Sequence, residues 1–408
     1  MTLKAALQLL LLIWLNQLSY IWTQKTENKT DNLKKRIDEI FGAFDQDKSP
    51  VVTDNVLNQC KCVPHYRCNS SNVNINGEGI IDIRNNENSC QSYLETCCLT
   101  QDISNNKISP ILQPFRLGCG YRNPKGVAFE TIGDVNGEAK FGEFPWMVGI
   151  LKEEVVNFTV WTIYQCGGSL IHPRVVLTAA HCVSNRENVY IIRAGEWDTQ
   201  TRNEILKHQE RKIKSIVIHP DYYRAALYND IALIFLEDQV ILDQHIGIAC
   251  LPQQGAATVS GTSCWASGWG RDQFGDHSQY QVILKKRELP FVNRNSCQSS
   301  LRTTRLGKNS CQSSLRTTRL GKYFLLHDSF VCAGGKRGID TCQGDGGSPL
   351  VCPISNHPER YHQIGIVAWG IGCGENGIPG VYVNVALFRN WIDNELIKYN
   401  LDTSQYQY

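Results

Sequence analysis

The chain has 408 residues, too many for one small domain, with 42% hydrophobic residues and a formal charge of +2. Such a balance describes a globular protein and excludes a strongly basic nucleic-acid binder or a chain dominated by disorder. Seventeen cysteines point to an oxidising compartment, where disulfides persist.

Met1-Thr-Leu-Lys4 precedes an apolar run from Ala5 to Leu15, and polar residues resume by Gln24. The run is too short to span a bilayer, so residues 1–23 read as a secretory signal peptide. No later segment is apolar enough to cross a membrane. Residues 24–58 form a polar extension, with a helical pattern over 32–44 carried by Leu33, Ile37, Ile40, Phe41 and Phe44. Asn28, Asn69 and Asn157 each open an N-glycosylation sequon.

Cys60, Cys62, Cys68, Cys90, Cys97 and Cys98 crowd residues 59–99, a unit too small to be held by a core alone. Six cysteines allow fifteen pairings, and spacing does not choose among them. Residues 100–132, with Pro110 and Pro114, read as a linker. Short strand-like runs follow: Trp146–Leu151, Val175–Thr178, Tyr190–Ala194, Ile213–Ile218, Ile231–Leu236, Gln363–Trp369 and Gly380–Val385. They predict an all-β barrel or sandwich over 133–398. Leu387, Trp391 and Leu396 predict a closing helix within Ala386–Tyr399, before a tail at 399–408.

The odd cysteine count has a source. Residues 295–308 and 309–322 are the same fourteen letters, NSCQSSLRTTRLGK. Two identical adjacent copies read as a recent duplication or a gene-model error, not as a structural repeat array. Each copy carries one cysteine, two arginines and one lysine, so one copy alone would leave sixteen cysteines and a charge of −1.

Three segments carry chemistry: Leu177-Thr-Ala-Ala-His181-Cys182, Asn229-Asp230-Ile-Ala-Leu233, and Cys342-Gln-Gly-Asp345-Gly346-Gly347-Ser348-Pro349-Leu350. With Gly142-Glu-Phe-Pro-Trp146 before and Pro379-Gly-Val-Tyr382 after, residues 133–397 resemble the chymotrypsin-like serine proteases. The resemblance implies two six-stranded antiparallel barrels with His181 and Asp230 in the cleft between them. It also implies a serine where Gly346 stands. Glycine offers no oxygen, and losing the nucleophile of such a triad costs about a millionfold in kcat, or roughly 8 kcal/mol of barrier. Ser348, two residues on, is misplaced for the role, since ~1 Å of displacement can cost a hundredfold.

By the same resemblance Asp340, Gly370 and Gly380 line a pocket for Arg or Lys, although Ala368 alters its floor. Gly344 holds an oxyanion-hole position. The motif Cys60-Lys-Cys62-Val-Pro, Gly77-Glu-Gly79-Ile-Ile-Asp82-Ile-Arg84 and the pair Cys97-Cys98 resemble the clip domain of arthropod protease cascades. The two families imply disulfides Cys60–Cys97, Cys62–Cys90, Cys68–Cys98, Cys119–Cys250, Cys166–Cys182, Cys264–Cys352 and Cys342–Cys373. One repeat cysteine would pair with Cys332, and Cys311 is expected because it is nearer in sequence than Cys297.

A clip unit joined to Gly346 and to Leu315-Arg-Thr-Thr-Arg-Leu-Gly-Lys is similar to the prophenoloxidase-activating factor 2 group of protease homologues. That implies a secreted, non-catalytic regulator of melanisation in haemolymph, acting on prophenoloxidase and its activating protease. No cofactor, metal, nucleic acid or membrane is implied. Two other readings are an active trypsin-like endopeptidase, favoured by His181, Asp230 and Asp340 but opposed by Gly346, and a secreted recognition or adhesion protein. No basic residue directly precedes Gly133, where active members are cut, so processing by an upstream trypsin-like protease is expected in the linker at Lys107–Ile108.

Overall fold

The computed structural model describes residues 60–64, 80–82, 95–103, 116–127, 130–132, 137–156, 159–200, 204, 206–271, 280–303 and 323–408. The signal-peptide segment, the helical pattern over 32–44, the sequon asparagines, Cys68, Cys90, Lys107 and Cys311 lie outside them.

The cysteine-rich unit contributes strand β1 (Cys60–Pro64), antiparallel to β3 (Glu95–Leu99), with Lys61 opposite Cys98 and Cys62 opposite Cys97. Cys62 and Cys98 are both disulfide-bonded. Strand β2 (Ile80–Asp82) pairs in parallel with β4 (Glu130–Ile132), so the clip-like unit touches the segment that leads into the barrels.

Twelve strands build two closed antiparallel barrels. The first runs β5 (Met147–Val156), β6 (Thr159–His172), β7 (Val175–Thr178), β8 (Val189–Ala194), β9 (Gln209–Ile218) and β10 (Ala232–Leu236). The second runs β11 (Ser263–Gly268), β12 (Lys285–Val292), β13 (Phe330–Gly334), β14 (Pro349–Ile354), β15 (His357–Trp369) and β16 (Pro379–Asn384). Closure removes the exposed sheet edges on which other chains would pair. Leu170, Leu177, Ile192, Leu233 and Ile234 on the strands of the first barrel, and Leu289, Leu350, Val367 and Tyr382 on those of the second, are all buried.

The seven expected runs fall on β5, β7, β8, β9, β10, β15 and β16. Sequence reading missed the other five strands. β6 breaks its apolar pattern at Gly167-Gly168, and β12 carries a buried Lys286 and a proline. It also missed helix α2 (Arg294–Thr303), whose N-terminus is capped by Asn293, the Oδ1 accepting from Ser296 N at 2.9 Å. A one-turn helix α1 (Ala180–Val183) follows β7. The C-terminal helix is shorter than expected: a 3-10 turn takes Val385–Phe388, and α3 covers Arg389–Lys398. The last residues are no loose tail. Tyr406 is buried, donates to Asp393 Oδ1 at 2.6 Å, and accepts from Leu251 N at 3.0 Å through its carbonyl.

Five described disulfides staple this frame: Cys119–Cys250, Cys166–Cys182, Cys264–Cys352, Cys297–Cys332 and Cys342–Cys373. The expectation of Cys311–Cys332 is corrected. Helix α2 forms on the first repeat copy and carries Cys297, fully buried, against β13, so packing decides the partner and sequence proximity does not. A buried ion cluster fixes the end of the linker: Arg122 Nε donates to Glu143 Oε1 at 3.2 Å, Lys286 reaches Glu143 Oε2 at 3.1 Å, and the Arg122 guanidinium lies 4.1 Å from the Trp265 ring centroid. Removing Glu143 would leave two buried cations without a counter-charge, a loss of about 3–5 kcal/mol.

Candidate functional site

His181 stands on α1, set by the buried strand β7 before it and by the Cys166–Cys182 disulfide beside it. Asp230 directly precedes the start of the β10 run and is fully buried; Asn229 before it adopts φ 54. Asp230 binds the histidine twice. Its Oδ1 accepts from His181 N at 2.8 Å, and its Oδ2 lies 2.6 Å from Nδ1. With a carboxylate accepting at Nδ1, the proton sits there and Nε2 is left as the basic nitrogen. The dyad is therefore oriented as a general base would be.

What it faces is not a hydroxyl. A Cβ on Gly346 would lie 2.7 Å from His181 Nε2, closer than side-chain carbons approach, and Cys182 Sγ is 3.5 Å from the same nitrogen. The imidazole lies against the bare backbone of Gly346, whose carbonyl accepts from Gly167 N at 2.9 Å. Gly347 next to it has φ +80, and a Cβ there would overlap Thr178 Oγ1 and the Gly167 carbonyl, so only glycine fits.

Ser348 does not take over. It is wholly buried, its hydroxyl packed against Gly167 and 3.1 Å from a Cβ on Gly268, on the Tyr164 side of the motif. Burial, then the nearby Asp345 charge, pushes the Tyr164 phenol far up, so it stays neutral.

Asp340 and Asp345 line one small cavity, of about 60 Å³, with Arg271, Lys285 and Arg287. Burial pushes the Asp345 carboxyl up to about 6, against the pull of two backbone donors, Gly270 N and Cys342 N, each at 2.8 Å. Burial likewise pushes Asp340 up to about 7, with Thr341 N donating to it at 2.9 Å. Gly380 does make room for this acid, since a Cβ there would stand 2.8 Å from Asp340 Oδ1. Gly370 is less confined, its nearest neighbour being Gly372 O at 3.5 Å, and Ala368 is buried beside them. Gly344 has φ +97 and packs on Tyr280.

Among the described residues, two groups of side chains gather atoms at metal-binding spacing. One is Cys166, His181 and Cys182, but its sulfurs are spent in a disulfide. The other is Glu196, Glu204 and His208, which sequence reading did not single out. Burial and the adjacent Glu204 carboxylate push Glu196 up, while Arg193 at 2.9 Å and His208 at 3.2 Å lie against it. Their spacing across a loop carries no local signature.

A family model matches the region that holds both barrels. The trypsin model covers residues 134–392. The chain belongs to the trypsin family. Within this family it is a clip-bearing member: the model described as Serine protease Clip domain PPAF-2 matches residues 52–99. The chain is similar to Phenoloxidase-activating factor 2 of Galleria mellonella, 51% identical over 304 residues, covering 73% of this chain and 95% of that protein. It is similar to Inactive CLIP domain-containing serine protease A8 of Anopheles gambiae, 37% identical over 337 residues, covering 81% and 87%. Inactive CLIP domain-containing serine protease A3 of Aedes aegypti is 38% identical, covering 83% and 67%. Several trypsin-family relatives thus carry names that mark them as inactive. Among the described residues, no helix is long and apolar enough to cross a membrane.

Proposed function

We propose that this trypsin-family chain is a secreted, non-catalytic regulator of prophenoloxidase activation that works through protein contacts. The observation that carries the reading is the contact between His181 Nε2 and the bare Gly346 position. A base is present and aligned, its nucleophile is missing, and the nearest serine is buried elsewhere. The names of the relatives support the setting: one is a phenoloxidase-activating factor, others are inactive clip-domain proteases. The apolar leader and the disulfide-dense composition support export into haemolymph. The partners under this reading are prophenoloxidase and its activating protease.

The test is a reconstitution. Purified, processed chain is mixed with prophenoloxidase and its activating protease, and phenoloxidase activity is followed. The chain alone cleaves no Arg or Lys amide and takes no label from a serine-directed phosphonate, yet raises phenoloxidase output in the mixture. Labelling that disappears with Ser348→Ala would establish an active endopeptidase instead. No increase in the mixture would remove the cofactor role.

A further inference from the structure

We propose that Cys119–Cys250, the disulfide that ties the linker to the barrels, is a thiol-exchange site, made so by Arg360, which holds Cys119 as a thiolate when the bond opens. This inference concerns the frame alone and does not depend on the proposed function.

Three chain segments lie side by side here. Gly120 N donates to Ile248 O at 2.7 Å, Tyr361 N to Gly120 O at 2.7 Å, and Gln363 N to Cys250 O at 2.8 Å. Gly120 has φ +78, and a Cβ there would overlap Tyr361 O and Cys250 Sγ, so only glycine lets the linker backbone run this close to the sulfurs. The pairing sets Arg360, on β15, across from Tyr121, whose ring centroid lies 5.3 Å from the guanidinium. Arg360 Nε donates to Cys119 O at 2.9 Å. Its Nη2 donates to Cys119 Sγ at 3.2 Å and stands 3.5 Å from Cys250 Sγ.

A neutral sulfur is a weak acceptor and gains little from a full positive charge. A thiolate gains much, because a neighbouring cation lowers the pKa of the thiol. A sulfur of low pKa leaves faster, and stabilising the reduced form makes the bond easier to reduce. Arginine supplies that charge at every physiological pH. One group opposes it: Gln407 O lies 3.3 Å from Cys119 Sγ, but Arg360 Nη2 also donates to this carbonyl, at 3.4 Å. Cys264–Cys352 and Cys297–Cys332 are as deeply buried, and among the described residues no guanidinium or ammonium nitrogen donates to their sulfurs.

The reagent is a low-molecular-weight thiol such as glutathione. Its thiolate, having lost its proton to water, attacks Cys250 Sγ. A mixed disulfide forms on Cys250, the Cys119–Cys250 bond breaks, and its electron pair leaves on Cys119 Sγ beside Arg360. A second reagent thiolate attacks the outer sulfur of the mixed disulfide, releasing oxidised reagent and Cys250 as a thiol, so two electrons pass to the protein. Both sulfurs are buried, and the exposed end of the chain covers them, Gln407 through its carbonyl and Tyr408 through its hydroxyl, 2.8 Å from His362 Nδ1. Entry follows the lifting of these last two residues.

The experiment equilibrates the uncleaved full chain, as wild type, Arg360→Gln and Arg360→Lys, in glutathione buffers of graded reduced-to-oxidised ratio at one pH. Samples are quenched in acid, alkylated with N-ethylmaleimide and read by peptide mass spectrometry. In the wild type, Cys119–Cys250 is expected to open at a lower ratio than Cys264–Cys352 and Cys297–Cys332, with the glutathione adduct on Cys250. Arg360→Gln should lower its reduction equilibrium constant about tenfold, the effect of one pKa unit at the leaving thiol, and Arg360→Lys should retain most of the wild-type value. The sign separates charge from packing. If Arg360 only braces the fold, Arg360→Gln loosens the oxidised site and the bond opens more readily, which would overturn the proposal, as would an unchanged constant. If Arg360→Gln does not fold, the wild type decides: opening no earlier than the other two bonds, or an adduct on Cys119, rejects the assignment.

Discussion

His181 Nε2 lies 2.7 Å from the point where a Cβ on residue 346 would stand, while its other ring nitrogen is fixed 2.6 Å from Asp230. The ring cannot retreat without loosening that bond or the one from His181 N to the same carboxylate. A missing hydroxyl is therefore not the whole lesion, because the histidine has settled into the space a side chain would need.

Restoring the serine alone is accordingly insufficient. Gly346→Ser is expected to leave Arg-amide hydrolysis at least a hundredfold below that of an active relative, since ~1 Å of catalytic misplacement costs that much. Adding Ser348→Gly removes the buried hydroxyl that crowds Gly167 and Gly268, and should raise the rate further. A fluorogenic arginine amide reads both variants. Full activity from Gly346→Ser alone would refute the displaced-histidine account.

The acid pair Glu196 and Glu204 should set a pH dependence of stability. Burial and mutual proximity hold the Glu196 carboxyl above its ordinary 4.5 in the folded chain. The sign follows: its contribution is fully present below about pH 4.5 and is lost as the pH rises through about 9. Glu204→Gln removes the neighbouring charge, so in chelator-containing buffer it should raise Tm by about 2–4 °C at pH 8 and change little at pH 4.5. A lower Tm at pH 8 would show that the bond Glu204 Oε1 accepts from Asp198 N at 3.2 Å outweighs the repulsion.

The legible parts of this protein were those written in short contiguous stretches. His181, Asp230 and Gly346 each sit in a motif a few residues long, and β7 and β10 are unbroken apolar runs. What escaped depends on residues far apart in the chain. Lys286 is buried in β12 only because Glu143 meets it from 143 positions away, so no window on that strand reads as apolar. The Arg122–Glu143–Lys286 cluster and the Ser348 packing under Tyr164 share that origin. Cys297 shows it most simply: proximity favoured Cys311, and the helix formed on the first repeat copy chose otherwise.

With Cys332 taken by Cys297 and an odd total of seventeen, one thiol must remain, and Cys311 is the expected one. Alkylation of the unreduced chain with iodoacetamide, followed by peptide mass spectrometry, should mark residue 311 and no other cysteine. A Cys311–Cys332 peptide, or an unmarked chain that contains both repeat copies, would overturn this assignment.

Processing should occur in the linker before Arg116. The basic residues after that point are pinned or turned. Arg122 is buried on Glu143, and both sides of it are tied down, Gly120 N donating to Ile248 O at 2.7 Å and Asn123 N to Glu143 O at 3.1 Å. Arg116 lies three residues before the Cys119–Cys250 bridge, its guanidinium 5.6 Å from the Tyr121 ring centroid. Lys125 sits in a turn closed by Gly126 N donating to Asn123 O at 2.8 Å. The bond that active relatives cut, before Gly133, follows a strand, Glu130–Ile132, already paired with Ile80–Asp82. A protease needs an unpaired extended segment, and these contacts deny it one at each of those positions. Lys107, flanked by Asn105, Asn106 and Ser109, is left as the preferred site. A trypsin-like protease should therefore give a new N-terminus at Ile108, and Lys107→Gln should abolish both that cut and any gain of cofactor activity on processing. N-terminal sequencing decides it: a processed form beginning at Gly133 would show that the β2–β4 pairing opens and that the ordinary activation bond is used after all.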